Sequence, residues 1–304
     1  MRQYLRGVVA GSSIGWIGGL ARTNAAIGSV IRGAFEMNIA RPVKAQDLRQ
    51  LLERVIAHYQ PIVDLGSGAV IGFEMLARIP GEGLAQSIGP IIEEVESDSG
   101  HLESLMWALL CAMQRDILPL FARYPDFYVS VNVPPVMLGN GNLRRMIEEL
   151  GLTACLHRVV CEVTERQALT DVGRAALHTA RENHVRVAMD DFGTGHSGLG
   201  QLLGLTFDVL KIDRSQIEHL MKDPSADRLL RGIVALATVL RARTVAEGVE
   251  TAAQAFFLQA VGVDYGQGWF WSGALPAADV PKALESGFGD RQREVLARLH
   301  AAGN

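Results

Sequence analysis

The chain has 304 residues, of which 48% are hydrophobic and 20% are charged. This composition is typical of a globular protein that buries a sizeable core, in one large domain or two ordinary ones. The formal net charge is −4, so no broad basic field is available to attract a nucleic-acid polymer or an anionic membrane. An anionic ligand must therefore be held locally, by metal ions or by a few cationic side chains. The three cysteines form no CxxC pair, which favours buried thiols in a reducing cytoplasm.

The N-terminal region contains a weakly apolar stretch, GVVAGSSIGWIGGLA, between Arg6 and Arg22. A membrane-spanning helix needs about 20 apolar residues, and this stretch is shorter and rich in glycine. The basic residues before it are also compatible with a signal peptide. The glycines argue against both alternatives, so we expect a cytoplasmic protein without a membrane segment.

From residue 58 onward, short β-branched segments alternate with helical ones. Segments 58–65 and 70–78 are separated by Gly66-Ser67-Gly68, which predicts a β-hairpin. A long helix is predicted over roughly 88–122, and a last helix from about Ala277. The six further predicted strands are 126–133, 158–165, 185–192, 207–213, 243–250 and 263–271.

Repeated alternation of strand and helix predicts a mainly parallel sheet covered by helices. Eight strands over some 230 residues favour an α/β fold of the (β/α)8 TIM-like barrel class. The opening hairpin makes the first strand antiparallel, which departs from the standard barrel. An open doubly wound sheet is the alternative, because strand order cannot be read from one sequence.

Nearly every predicted strand ends in a residue that binds metal or transfers protons. In a barrel these ends converge on one face. So many carboxylates in one place repel one another unless some are protonated or cations lie among them. Oxygen donors favour Mg²⁺ or Mn²⁺ over zinc, and two such ions are the usual arrangement for phosphodiester hydrolysis. The residues at these strand ends are Glu74, Arg78, Asn132, Glu162, Glu165, Asp190, Asp191, Lys211, Asp213, Glu247, Glu250 and Gln267.

Each of these residues alone is also compatible with an ordinary loop or cap. Asn132 could cap a turn, and Asp190-Asp191 could form one. The recurrence at successive strand ends is not explained in this way. Asp190 also follows the apolar segment VRVAM, where a carboxylate is costly unless it is ligated or paired.

The chain resembles the EAL domain family of cyclic di-GMP phosphodiesterases over about residues 45–288. Together the motifs are highly specific, since their order and spacing would rarely arise by chance. In chain order they are YQPIVDL (59–65), EMLAR (74–78), VNVPP (131–135), CEVTE (161–165), DDFGTGHSGL (190–199), LKIDRS (210–215), AEGVET (246–251) and DYGQGWFWS (264–272).

The resemblance implies hydrolysis of cyclic di-GMP to linear pGpG with two divalent cations, Mg²⁺ or Mn²⁺, by a protein that often forms a homodimer. It implies catalytic roles for Glu247 as general base, Lys211 as the group that orients water, and Glu165 as the support of the DDFG loop. The implied metal-site residues are Glu74, Asn132, Glu162, Asp190, Asp191, Glu250 and Gln267. The implied substrate contacts are Gln60, Leu76, Arg78 and Asp213.

Met75, Pro134 and His196 depart from common family residues, but none of them replaces an expected metal ligand. The N-terminal segment resembles the tail of a response-regulator receiver domain, and a plain linker is the alternative. The predicted organisation is residues 1–44 as this segment, 45–290 as the barrel and 291–304 as a tail. Functional alternatives to the enzyme are a degenerate domain that senses cyclic di-GMP and a scaffold that binds only protein. The intact ligand set favours the enzyme.

Overall fold

The computed structural model describes residues 45–81, 84–139, 141–194, 202, 204–220 and 222–290. The predicted N-terminal segment, the C-terminal tail and His196 lie outside the described residues. The strands are β1 Ile56–Asp64, β2 Val70–Ile79, β3 Gln86–Ser87, β4 Tyr128–Asn132, β5 Val159–Thr164, β6 Arg186–Phe192, β7 Val209–Ile212, β8 Arg243–Ala246, β9 Tyr265–Gly266 and β10 Leu275–Pro276.

Eight of these strands close into a barrel in the order β1-β9-β8-β7-β6-β5-β4-β2, because β2 also pairs with β1. Strand β1 is antiparallel to both of its barrel neighbours, and the other neighbouring pairs are parallel. The short strands β3 and β10 lie beside β2 and β1. The predicted barrel with an antiparallel first strand is therefore confirmed, and closure excludes the doubly wound sheet.

The tight turn between β1 and β2 reverses the chain. The Asp64 carboxylate accepts hydrogen bonds from the backbone and hydroxyl of Ser67, at 2.7 and 2.8 Å. Gly68 has φ of +75°, a left-handed conformation that glycine adopts without steric cost. Local turn chemistry thus sets the direction of β1, while the strands from β4 to β9 run parallel to one another.

The α-helices lie outside the barrel, and the predicted helix over 88–122 is broken into several parts. Asp98 accepts from the backbone N–H of His101 and starts a new helix. Met113–Ile117 then forms one π-helical turn. Pro119, in the first turn of the next helix, has no N–H to continue the α-helical ladder. The helices are α1 Ala45–Leu52, α2 Ile92–Glu96, α3 Ser99–Ala112, α4 Leu118–Arg123, α5 Pro135–Gly139, α6 Asn142–Glu149, α7 Glu165–Ala168, α8 Asp171–Glu182, α9 Arg214–Glu218, α10 Pro224–Leu240, α11 Ala252–Val261 and α12 Val280–Ser286.

The helical stretch Ser99–Arg123 is long and apolar enough, by length and composition alone, to cross a membrane. It packs on the barrel instead: α3 contacts β1, and the Tyr59 hydroxyl of β1 donates to Asp116 at 3.1 Å. Its apolar character therefore follows from its place in the core.

An apolar layer fills the barrel interior below its C-terminal mouth. Alternate residues of a strand point to the same side, so the next inward position on each strand lies one layer nearer the mouth. On four strands that next position carries Glu162, Asp190, Lys211 or Glu247. The apolar layer consists of Ile62, Val160, Ala188, Val209 and Val245.

Two helical glycines provide a matched test of packing outside the barrel. A Cβ on Gly173 in α8 would overlap the carbonyl oxygen of Gln167 and lie 2.9 Å from the Ala168 backbone, whereas a Cβ on Gly232 in α10 meets nothing within 4 Å. We expect Gly173→Ala to lower the free energy of unfolding by about 1–3 kcal/mol through overpacking. Gly232→Ala should raise it by about 0.5–1 kcal/mol, because alanine is the better helix former. Urea unfolding of both variants checks this, and equal effects would contradict it.

Candidate metal and substrate site

The side chain of Lys211 stands at the centre of the polar layer. It is 1% exposed, and β7 carries it into the barrel directly above Val209. Its ammonium nitrogen lies 2.7 Å from Glu247, 2.8 Å from Glu162, 3.1 Å from Asp190 and 3.6 Å from Glu74. Four carboxylates from four strands or strand ends therefore converge on one positive charge.

Burial alone would lower the pKa of Lys211, but the surrounding carboxylates outweigh burial and hold this pKa well above its ordinary value. The lysine is therefore charged. Burial has the opposite effect on its partners, because it disfavours a carboxylate. It raises the pKa of Glu162 well above the ordinary value, and it raises the pKa of Glu247 to about 8 although Lys211 opposes the shift. One ammonium does not balance four ionised carboxylates, so a bound cation would favour the ionised forms of this group.

A bulge in β6 brings two neighbouring aspartates to the site. The register with β7 shifts between Met189 and Phe192, and Asp191 adopts a left-handed backbone with φ of +57°. The backbone N–H of Asp191 donates to the Asp190 carboxylate at 3.0 Å. Carboxylate oxygens of Asp190, Asp191 and Glu247 lie within 4.8 Å of one another. In a regular strand, Asp190 and Asp191 would point to opposite faces.

Side-chain amides surround the Glu74 carboxylate. Asn132 donates to it at 3.3 Å, and Gln267 donates both to it and, at 3.1 Å, to Gln60. The carbonyl oxygen of Gln267 is buried and has no hydrogen-bond partner among the described residues. A buried acceptor without a donor is costly, and a cation is one group that would satisfy it.

The donor set fits a hard divalent cation. It consists of carboxylate and amide oxygens, and within the described part of the chain no histidine or cysteine belongs to the acidic group. Such oxygen ligands suit Mg²⁺, Mn²⁺ or Ca²⁺ rather than zinc. The residues that converge in this way are Gln60, Glu74, Asn132, Glu162, Asp190, Asp191, Lys211, Glu247 and Gln267.

Glu165 supports the loop after β6 from outside the acidic group. It is buried, and its carboxylate accepts from the backbone N–H of Gly193 at 3.0 Å. The carbonyl of Gly193 accepts from the Gln216 amide at 2.8 Å. The segment that presents Asp190 and Asp191 is therefore fixed from two sides.

Three residues expected at the site lie at its periphery. Glu250 is exposed and forms an ion pair with Arg214 at 2.8 Å. Asp213 caps α9 by accepting from Ser215. The partly buried Arg78 donates to the carbonyl of Ala77 at 2.9 Å, and burial lowers its pKa although Glu74 opposes the shift. Glu250 therefore lies at the cleft edge rather than within the acidic group around Lys211.

A cleft of about 260 Å³ opens above the polar layer. Gln60 and Leu76 line it, as expected of substrate contacts, together with Arg214 and Trp269. Trp269 is 73% exposed and offers a ring face at the edge of the cleft. Sequence reasoning gave no role to Arg214 or Trp269, although they lie within the motifs LKIDRS and DYGQGWFWS. A separate apolar cavity of about 400 Å³ lies outside β4 and β5 and shares no residue with this cleft.

Comparison with known families agrees with this geometry. Residues 45–274 match the family model of the EAL domain. The chain belongs to the EAL domain family. Every residue of the converging group lies within the matched range.

Among relatives, the probable cyclic di-GMP phosphodiesterase PdeB of Escherichia coli (strain K12) is 30% identical over 261 residues, which are 82% of this chain and 49% of PdeB. The chain spans about half or less of the length of the curated relatives it matches. The solved PaMucR phosphodiesterase in complex with c-di-GMP is 32% identical with a TM-score of 0.69, over 77% of this chain and 98% of that one. The manganese and cyclic di-GMP complex of Klebsiella pneumoniae BlrP1 is 26% identical with a TM-score of 0.62, over 73% and 56%.

The raised pKa values predict how stability depends on pH in the metal-free protein. The pKa of Glu247 rises from 4.5 to about 8 on folding, so the folded state keeps a proton that the unfolded state releases in this range. The contribution of Glu247 to the free energy of unfolding is therefore fully present below about pH 4.5 and is lost as pH rises through about 8. This contribution is at most about 1.4 kcal/mol per unit of pKa shift. The free energy of unfolding of Glu247→Gln should therefore fall less steeply with rising pH than that of wild type.

Urea unfolding in chelator at pH 5.5, 7 and 8.5 measures this difference. Glu148→Gln is the control, because Glu148 lies on the exposed face of α6 in a pair with Arg144. This control should follow the wild-type slope. Identical slopes for wild type and Glu247→Gln would contradict the raised pKa of Glu247.

Proposed function

We propose that this chain hydrolyses cyclic di-GMP to linear pGpG and so removes a bacterial second messenger. The observation that carries the proposal is the convergence of four carboxylates on Lys211 beneath an open cleft. Two relatives support the choice of substrate, since PdeB is a probable cyclic di-GMP phosphodiesterase and PaMucR was solved with c-di-GMP.

Two divalent cations, Mg²⁺ or Mn²⁺, are part of the proposal. Glu74, Asn132, Glu162 and Asp190 would hold one ion, and Asp191 would join Asp190 at the second. Gln267 lies buried beside Glu74, and Glu250 is proposed as an outer support from the cleft edge. When bound, the ions would polarise the phosphoryl group and acidify the attacking water. The manganese complex of BlrP1 supports this choice of metal.

The chain's own residues would carry the proton transfer. Glu247 accepts the proton of the attacking water, and its raised pKa suits a base that works near neutral pH. The water oxygen bonds to phosphorus, the P–O3′ bond breaks, and the leaving O3′ takes a proton from solvent. Lys211, 2.7 Å from Glu247, orients the water and neutralises charge on the phosphoryl oxygens. Glu165 keeps the aspartates in place through Gly193.

The substrate would occupy the cleft above this layer. Gln60 and Leu76 contact it from the cleft wall, Arg78 meets its anionic groups, and Asp213 contacts it from the start of α9. The exposed ring of Trp269 offers a surface on which a guanine base stacks. Arg78 must exchange its bond to the Ala77 carbonyl for this contact.

The wider organisation is proposed in the same way. Residues 45–290 form the catalytic unit, 1–44 are a receiver remnant or linker, and 291–304 are a tail. A cytoplasmic homodimer is proposed from the family resemblance, and sedimentation velocity distinguishes it from a monomer. The alternatives remain a sensor that binds cyclic di-GMP without cutting it and a scaffold that binds only protein.

Metal removal tests the reaction directly. We expect excess EDTA to abolish pGpG formation and Mg²⁺ or Mn²⁺ to restore it, because the donor set is rich in oxygen. Ca²⁺ should restore it poorly, since its larger radius and looser geometry misplace the attacking water. Chromatography of the nucleotide measures the product, and undiminished turnover in chelator would exclude the two-metal mechanism.

Replacement of the proposed base separates the enzyme from the sensor. We expect Glu247→Gln to slow pGpG formation by about 10²–10⁴-fold, because a general base is lost, while cyclic di-GMP still binds. Glu148→Gln should match wild type, because Glu148 is not among the residues that line the cleft. If metal-loaded wild type binds the nucleotide in calorimetry but returns it uncut, the sensor is correct. Absence of binding by every variant would favour the scaffold.

A further inference from the structure

We propose that Arg214 is a second cationic contact for the anionic substrate, held at the cleft edge by Glu250 until a phosphate displaces that carboxylate. The inference deepens the proposed function and rests on it for the identity of the substrate. It concerns a residue to which the family resemblance gives no role, although Arg214 lies within the motif LKIDRS (210–215).

The charge distribution of the cleft favours such a contact. Four carboxylates line it, those of Glu74, Asp190, Glu247 and Glu250. Arg214 is the one cationic side chain among the described residues that line the cleft. Lys211 lies beneath, 1% exposed and already bonded to carboxylates. A ligand that carries two phosphates therefore meets Arg214 at the entrance.

The guanidinium is positioned by two carboxylates that engage different nitrogens. Its Nε lies 2.5 Å from Glu218, one turn further along α9, and its Nη2 lies 2.8 Å from Glu250, which also lines the cleft. The pair with Glu218 fixes the side chain on its own helix. The pair with Glu250 directs the outer end of the guanidinium toward the cleft. Arginine has five N–H donors, so these two contacts leave donors for a phosphate.

The backbone beside the proposed base is shaped around this side chain. A Cβ on Gly248 would collide with the side-chain carbons of Arg214, and Gly248 has φ of +63°. The aliphatic part of Arg214 therefore lies against the peptide that follows Glu247. This contact brings the guanidinium to a fixed position one residue from the catalytic carboxylate.

Exchange of Glu250 for a phosphate costs little. Both side chains of the pair are partly exposed, Arg214 by 51% and Glu250 by 41%, and such pairs contribute little free energy in water. A phosphate offers arginine bidentate, charge-assisted hydrogen bonds, which are stronger. Glu250 thus holds the guanidinium of Arg214 in place and pairs its positive charge before the substrate binds.

Arg214→Gln tests the contact. We expect KM for cyclic di-GMP to rise by about 10- to 100-fold while kcat changes by less than about threefold, because a charge-assisted contact is lost and the acidic group is untouched. Arg214→Lys should recover part of the affinity. The matched control is Arg231→Gln: Arg231 is 52% exposed and pairs with Asp227 on α10 at 2.8 Å. This control should leave both constants unchanged.

Calorimetry of cyclic di-GMP binding to the metal-free protein gives a readout that does not depend on catalysis. Glu250→Gln should tighten this binding by releasing Arg214, and should have no such effect in the Arg214→Gln background. A purely structural role of Arg214 would instead lower the thermal midpoint and reduce kcat. Equal KM values for Arg214→Gln and Arg231→Gln would overturn the inference.

The failure of the proposed function is distinguishable from the failure of this inference. If wild type makes no pGpG but binds the nucleotide, the proposed hydrolysis fails, and Arg214→Gln must still weaken binding more than Arg231→Gln for the inference to stand. If wild type neither cuts nor binds the nucleotide, both are overturned.

Discussion

The ammonium of Lys211 is buried in the barrel with carboxylates from β2, β5, β6 and the end of β8 within 3.6 Å. Taking so many charges out of water is costly, and the cost is offset only if the charges compensate one another at close range. The single ammonium of Lys211 compensates only part of the charge of the four carboxylates. Burial raises the pKa values of Glu162 and Glu247, and the neighbouring carboxylates add to the rise. A divalent cation would favour the ionised forms of these carboxylates.

The rest of the barrel positions this charge cluster. Val160, Ala188, Val209 and Val245 form an apolar floor, and the next inward position of each of their strands is a charged residue. Water is therefore excluded from below, and the charged layer opens only toward the cleft. The low polarizability of the floor strengthens electrostatic interactions above it. Burial of the charged cluster thus costs folding free energy, but it also strengthens the electrostatic interactions of the cluster with a phosphate.

Two irregular features complete the layer. The hairpin reverses β1, so that Gln60 lies directly opposite Glu74 in an antiparallel pair and reaches Gln267. The bulge in β6 turns Asp191 toward the side that Asp190 occupies, and Glu165 fixes the loop that follows. A regular eight-stranded parallel barrel would offer neither the amide of Gln60 at this position nor two adjacent aspartates. Both of these departures from a regular barrel lie where the chemistry is proposed.

The sequence by itself determined the fold class and most of the polar layer. Alternation of β-branched segments with helical ones predicts the barrel, and Gly66-Ser67-Gly68 predicts the antiparallel first strand, because both are local signals. Tertiary structure decided what depends on distances between remote residues. Closure of the barrel brings the four carboxylates to one ammonium. The register shift between β6 and β7 brings Asp191 to the side of Asp190. Packing against Gly248 distinguishes Arg214 from other surface arginines. The break of the predicted helix at Met113–Ile117 is of the same kind: Pro119 permits it locally, but packing on the barrel keeps the chain helical on both sides.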